Sequence, residues 1–408
     1  MPSEALPRRT RRTAAPSMAR TLRQVGRSLM RNTRLNLSLA VHLGLAAIAY
    51  VPMLLAKPGL VAADTKQYLY LDPGRMLHAA AYMWNPNSNL GTITHENIGY
   101  LLPMGPFFWI TAHLGIATWV AQRLWVGTIL FAAAAGVLFL CRTLAVPGPG
   151  QPISAIAYML SPYFLQYVGR MSVILLPWAA LPWLVALAAR SLRQRSWRYP
   201  ALFALVVALV SGVNATAILY AGLAPVAWIA YATWVRREVP AKRAGIVVAQ
   251  IGLLTTLASL WWAAGLRIEA AYGINVLKYT ETLPAVASTS LASESLRGLG
   301  YWYFYGGGRL GPWLGASVQY TQQVWLVAAS FAVPALAILA AIITRWRHRS
   351  YFVLIGLTGL ALSVGTYPFK HPSILGGALK AFMTNTTAGL ALRSTDRATP
   401  LLLLSTSM

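Results

Sequence analysis

Apolar residues along this chain fall in long blocks and do not alternate with polar ones. Stretches near 36–56, 124–141, 151–168, 172–189, 200–212, 216–235, 244–265, 323–344 and 351–367 are poor in charge, and a tenth starts near Pro400. Several approach or exceed the roughly 18–20 residues that a helix needs to cross the hydrocarbon core, where each backbone polar group must find its partner inside the segment. The pattern predicts an all-α, polytopic transmembrane helical bundle, because a β-barrel would show short alternating segments. The block at 200–212 is too short alone and is expected to begin near Trp197, with Trp197 and Arg198 at the interface.

Charge then orients these spans. Threading them from a cytoplasmic N-terminus puts 1–35, 142–150, 190–199, 236–243 and 345–350 inside. Those segments hold 21 of the 34 Lys and Arg residues but only two acids, Glu4 and Glu238. That is the bias expected of cytoplasmic loops. The apolar stretch 101–116 would invert every later loop if it crossed, so it is read as re-entrant or interfacial. Pro103 and Pro106, with Gly105 between them, favour a broken helix there. The outer pieces are 57–123, 169–171, 266–322 and 368–397. In the first, Asp72-Pro73 can cap and open a helix whose Met76, Leu77 and Ala80 offer an apolar surface along the membrane. Residues 1–35, with nine Arg among Ser, Thr and Pro, read as a disordered cytoplasmic arm ahead of a transmembrane domain at 36–408.

Composition agrees with a membrane location. Hydrophobic residues make up 57% of 408 positions and charged ones 11%, against roughly 25% charged in soluble domains. The net charge of +25 sits mainly in short tracts between spans, which argues for a lipid bilayer as partner and against nucleic acid. With one cysteine, Cys141, no disulfide can form within the chain.

Seven of the nine acids fall outside: Asp64, Asp72, Glu96, Glu269, Glu281, Glu294 and Asp396. Asp64 follows the first span in Ala63-Asp64-Thr65-Lys66, where a carboxylate can be a general base near the membrane surface or a surface acid or cap. Glu281 and Glu294 lie in a Ser- and Thr-rich segment suited to sugar hydroxyls or to turns. Outer basic groups, among them Lys66, Arg123, Arg170, Arg297, Arg393 and Arg397, are candidates for a lipid-linked phosphate, which guanidinium binds in pairs of hydrogen bonds. The run from Tyr301 to Tyr305 is either a stacking surface for sugar or lipid or part of an interfacial aromatic belt. Gly306, Gly308 and Gly311 fit a dinucleotide fingerprint, but no strand precedes them and no βαβ unit follows. No His, Cys or acid spacing indicates a metal site, and no cofactor is expected.

Several segments in order resemble the N-terminal GT-C membrane domain of the actinobacterial α-(1→3)-arabinofuranosyltransferase family. They are Asp64-Thr65-Lys66, Trp84-Asn85-Pro86, Gly99 through Phe108, Gln122-Arg123-Leu124-Trp125, Ser161-Pro162, Pro177-Trp178, Gly212-Val213-Asn214-Ala215, Tyr279-Thr280-Glu281-Thr282 and Glu294-Ser295-Leu296-Arg297-Gly298. The resemblance implies a plasma-membrane glycosyltransferase that takes arabinofuranose from a decaprenyl-phosphate donor and adds it to an arabinan acceptor on the outer face. It implies Asp64 and Glu281 as the acids nearest the sugar, and Lys66, Glu96, Arg123, Arg170, Glu294 and Arg297 as substrate contacts. Two departures stand out. The turn Tyr167-Val168-Gly169-Arg170 carries no acid, and family members are far longer, so the chain is expected to be a truncated form. The competing readings are a polyprenyl-linked sugar transporter or flippase, which calls for polar groups at mid-membrane and repeated halves, and a noncatalytic scaffold for wall-synthesis enzymes.

Overall fold

The computed structural model describes residues 18–64, 68–87, 90–94 and 97–408, with side chains from 36 onward except that of Tyr68. The first part of the basic arm, 1–17, lies outside these residues, as do the candidates Lys66 and Glu96. Residues 18–35, expected to be disordered, are instead the first turns of α1 (Met18–Leu55). Leu22, Val25 and Leu29 recur there at helical spacing, so the arm's sequence can continue the span backwards.

After α1 the chain makes two short helices, α2 (Tyr68–Leu71) and α3 (Pro73–Ala80), a two-stranded ladder of β1 (Trp84–Asn85) and β2 (Thr92–Ile93), and α4 (Met104–His113). As expected, Asp72 caps α3: its carboxylate accepts from the Arg75 amide at 3.1 Å, with Pro73 at the first helical position. Met76 and Ala80 turn into the protein instead of lying along a membrane. The ten residues of α4 extend about 15 Å, half the thickness of the hydrocarbon core. Phe107 and Phe108 hold it against Trp125, at ring separations of 5.2 and 6.1 Å.

The body follows: α5 (Thr118–Thr143), α6 (Gly150–Met159), α7 (Tyr163–Tyr167), α8 (Leu175–Arg193), α9 (Arg198–Ser211), α10 (Ala215–Ala230) and α11 (Ala241–Tyr272). The expected span at 151–168 is thus two helices. Pro162 has no amide proton to continue α6, and it opens α7. Beyond α11 come α12 (Leu283–Thr289), α13 (Ala292–Leu296), a hairpin of β3 (Gly307–Gly308) and β4 (Gly311–Pro312), and α14 (Gly315–Gln322). The chain then re-enters the bundle through α15 (Val324–Ser330), α16 (Ala332–Ile343) and α17 (Arg349–Val364), and continues through α18 (Ile374–Asn385), α19 (Thr387–Ala391) and α20 (Thr399–Ser407).

Among the described residues, six helices are long and apolar enough to cross a membrane. Burial separates their roles. The apolar window of the helix ending in α8 is 94% buried, whereas those of α1 and α11 are 11% buried. Thus α8 is the axis of the bundle, packed by α5, α9 and α10. Its Trp183 donates to the Ala132 carbonyl of α5 at 2.8 Å, where a run of alanines lets the two helices approach. On the periphery, Leu253, Leu257, Leu336 and Ile342 are exposed, an arrangement suited to lipid and not to water.

The two ends of the bundle differ in charge. At one end the basic loops join: Arg193 donates to the Thr143 carbonyl at 2.7 Å, Arg243 to the Ser191 and Gln194 carbonyls, and Glu238 lies between Arg236 (3.1 Å) and Arg347 (2.7 Å). The pieces expected to face outward meet at the other end.

Candidate active site

At that second end a cavity of about 810 Å3 is walled by chain segments far apart in sequence: Ala63, Tyr100, the turn Arg170–Ile174, Val213–Thr216, Leu266–Glu281 and Thr387–Arg397. Close backbone contact shapes one wall. A Cβ at Gly99 would lie 2.2 Å from the Gly212 carbonyl oxygen, so only glycine allows the segment before α4 to meet the α9–α10 turn.

Glu281 lines the cavity just ahead of α12, whose N-terminus Thr282 caps by accepting from the Ala285 amide. The Ser394 hydroxyl donates to Glu281 Oε1, and the guanidiniums of Arg397 and Arg393 stand 3.9 and 4.0 Å from the same oxygen. Arg393 also donates to the Glu281 carbonyl at 2.7 Å, to the Leu390 carbonyl at 2.7 Å and to the Thr280 hydroxyl. Burial works to raise the Glu281 pKa, but the Ser394 hydrogen bond and the two arginines outweigh it and hold the carboxyl below its ordinary value.

Arg397 is drawn in further. It donates to Asn214 Oδ1 at 3.2 Å, and Asn214 also caps α10 by accepting from the Ala217 amide at 2.9 Å. Burial opposes its charge, yet the neighbouring Asp396 and Glu281 raise its pKa on balance. Asp396, 3% exposed, accepts from the Tyr167 hydroxyl. Burial pushes its carboxyl up against the lowering effect of Arg397 and of that hydrogen bond. The Tyr167 ring in turn stacks on Tyr301 at 4.7 Å. The turn after α7, which has no acid of its own, therefore supplies a hydroxyl to an acid delivered from before α20. Two arginines and two carboxylates balance within one cluster.

Asp64 lies beside this cavity, behind the wall that Ala63 forms. It is 1% exposed; its Oδ1 accepts from the Ser172 amide at 2.8 Å and its Oδ2 from the Ser172 hydroxyl, which also accepts from Trp125 Nε1 at 3.0 Å. The carboxylate thereby holds Ser172 in the turn that leads into α8, two residues after Arg170. Tyr70 donates to the Asp64 carbonyl at 3.0 Å, and burial, with the Asp64 charge, pushes its pKa to about 12.

Of the expected substrate contacts, Arg170 lines the cavity and Arg123, Glu294 and Arg297 do not. Arg123 donates to the Ala56 and Leu60 carbonyls and so braces the chain leaving α1. Arg297 is 4% exposed and directs its donors at Glu294 (2.7 Å), Ser330 (2.6 Å) and the Tyr320 carbonyl, while the second Glu294 oxygen accepts from Tyr305. This pair braces the long segment after α11. The cavity also brings in Arg393 and Arg397, two of the outer cations considered for a lipid-linked phosphate, and three residues that the sequence did not single out as contacts: Glu269 near the end of α11, Asn214 and Ser394. Among the described residues no group of His, Cys, Asp and Glu could hold a metal ion.

Residues 48–407 match the family described as alpha-(1->3)-arabinofuranosyltransferase, N-terminal GT-C domain. The chain is 34% identical over 263 residues to the alpha-(1->3)-arabinofuranosyltransferase of Mycobacterium tuberculosis, which covers 63% of this chain and 18% of that protein. It is 32% identical over 320 residues to the Mycolicibacterium smegmatis protein of the same name, covering 78% of this chain and 21% of that one. A cryo-EM structure of arabinofuranosyltransferase AftD from Mycobacteria aligns with a TM-score of 0.66 at 25% identity, over 90% of this chain and 24% of the other. The chain spans about a fifth of the length of the curated relatives it matches.

Proposed function

Because the chain belongs to the family of alpha-(1->3)-arabinofuranosyltransferase N-terminal GT-C domains, we propose that it carries the transfer site of a membrane glycosyltransferase that moves arabinofuranose from a decaprenyl-phosphate donor to cell-wall arabinan. One observation carries the reading: Glu281 is a cavity-lining carboxylate held ionised between the Ser394 hydroxyl and two guanidiniums. In the reaction an acceptor hydroxyl oxygen bonds to the anomeric carbon and gives its proton to Glu281. The bond from that carbon to phosphate oxygen breaks, and its electron pair leaves with the polyprenyl phosphate. Arg393, Arg397 and Arg170 are the cations placed to meet that phosphate.

A carboxylate with a depressed pKa is a weak base, and the same arginines supply the remedy. A donor phosphate paired with Arg393 and Arg397 offsets their charge, so the part of the depression that they add to the Ser394 hydrogen bond is relieved and Glu281 gains basicity when a donor is present. Asp64 acts in this scheme as a positioning residue, through the Arg170–Ile174 turn. The end bearing the site faces out of the plasma membrane and the basic loops face the cytoplasm, as the concentration of 21 of 34 basic residues supports.

The test is transfer of labelled arabinofuranose from the lipid donor by membranes containing the chain. Glu281→Gln keeps an acceptor for Ser394 and should fold, yet lose about 10²- to 10⁴-fold in rate, the usual contribution of a general base. Activity within about tenfold of the parent would remove Glu281 from the mechanism.

A further inference from the structure

Outside the cavity mouth stands a second built feature, made from the aromatic run and the glycine hairpin. The Arg170 guanidinium, which lines the cavity, sits 5.5 Å from the centre of the Tyr303 ring. Tyr303 and Trp313 meet in a tilted pair at 4.7 Å and 31°, and Trp302 meets Trp313 edge-on at 6.1 Å. The β3–β4 hairpin holds Trp313 from below. Its amide donates to the Gly306 carbonyl at 3.0 Å, and a Cβ at Gly306 would fall 2.1 Å from the indole, so the ring rests directly on glycine backbone. The Arg170 contact with Tyr303 ties this aromatic group to the segment that carries Arg170. Despite this support Trp313 remains 45% exposed, beside exposed Gly307, Gly308 and Arg309.

We infer that Trp313, backed by Tyr303 and Arg170, is a stacking subsite for the acceptor glycan, receiving a sugar ring beyond the one that reacts. The inference rests on the transfer reading above, since a polymer acceptor must continue out of the cavity. An indole face held rigid loses little entropy on binding, and its apolar surface suits the C–H face of a sugar while a neighbouring guanidinium takes the hydroxyls. A lipid-facing belt explains the site less well, because the ring sits on a hairpin outside the helices long enough to span a membrane, beside glycines and Arg309 as well as exposed Leu310, and in a contact chain that leads into the cavity.

The experiment uses the chain in lipid nanodiscs with a synthetic oligo-arabinofuranoside and a single-sugar methyl arabinofuranoside as probes, read by saturation-transfer NMR and by acceptor KM. Trp313→Ala should weaken oligosaccharide binding about tenfold, near 1.4 kcal/mol, and Trp313→Phe, which keeps a ring, should restore most of it. The single-sugar probe should respond equally to all three proteins. Undiminished oligosaccharide binding by Trp313→Ala overturns the subsite, as does a loss that Trp313→Phe shares in full. Reduced bilayer association of Trp313→Ala with glycan binding intact would make the ring a lipid anchor and also overturn it. Ring-dependent binding of the oligosaccharide without transfer would uphold the subsite while sinking the transfer reading.

Discussion

Replacing Arg297 by alanine is expected to loosen the long segment after α11 and not to starve the site of donor. The guanidinium is 4% exposed and holds Glu294 at 2.7 Å, Ser330 at 2.6 Å and the Tyr320 carbonyl, with Phe331 under it at 5.7 Å. Without it, the Glu294 carboxylate keeps the Tyr305 hydroxyl but becomes a largely buried, uncompensated charge. Breaking a buried pair from one side costs about 3–5 kcal/mol. Because the Glu294 side chain retains 17% exposure and can take up water, the low end, about 3 kcal/mol, is the expected loss. Thermal unfolding in nanodiscs, measured beside transfer kinetics, reads this as a lower Tm with an unchanged donor KM. The paired change Arg297→Met with Glu294→Gln removes both charges and should recover most of the stability, giving a favourable coupling in a double-mutant cycle. An unaltered Tm with a raised donor KM would refute the brace and return Arg297 to the phosphate.

Two further outcomes are expected. Burial lowers the His348 pKa from 6.5 to about 4 where the loops of the basic end meet, so the native protein holds it neutral while the unfolded chain protonates it. Its contribution is complete above pH 6.5 and lost as pH falls toward 4, up to about 3 kcal/mol; a Tm that declines on acidification in the parent and less in His348→Phe checks it, and parallel declines would rule it out. For orientation, Cys141 is buried and can be replaced, after which a cysteine at exposed Ser288 should react with an impermeant reagent in intact cells and one at exposed Ser196 should not. The opposite pattern would invert the topology.

What could be read in advance followed from how locally each feature is encoded. Apolar blocks gave the helices because hydrophobic length is written continuously in sequence, and the charge bias kept 101–116 from being counted as a span; α4 at Met104–His113 is indeed too short to be one. The break at Pro162 was legible in principle from the Ser161-Pro162 pair, yet the hydrophobicity on both sides masked it. Glu281 was reached through a motif resemblance and does line the cavity. Arg297, from an equally good motif, does not, since sequence cannot say whether a guanidinium has spent its donors on its own loop. Arg393 and Arg397 could be named as outer cations, but their grouping with Asn214 and Glu281 needed the folded contacts across 183 and 112 positions that join Asn214 to Arg397 and Glu281 to Arg393. Local spacing carries no trace of such distances.

The separation of Glu281 from its arginines also bears on how the protein is made. A ribosome adds about 5–20 residues per second, so the 112 positions from Glu281 to Arg393 represent roughly 6–22 s of synthesis. During that interval Glu281 has been synthesised without either guanidinium, while Asp64 already has Ser172 available from an earlier stretch of chain. Assembly is therefore staged: the wall around α8 is fastened first, and the charge-balanced half closes last, when the segment ahead of α20 arrives.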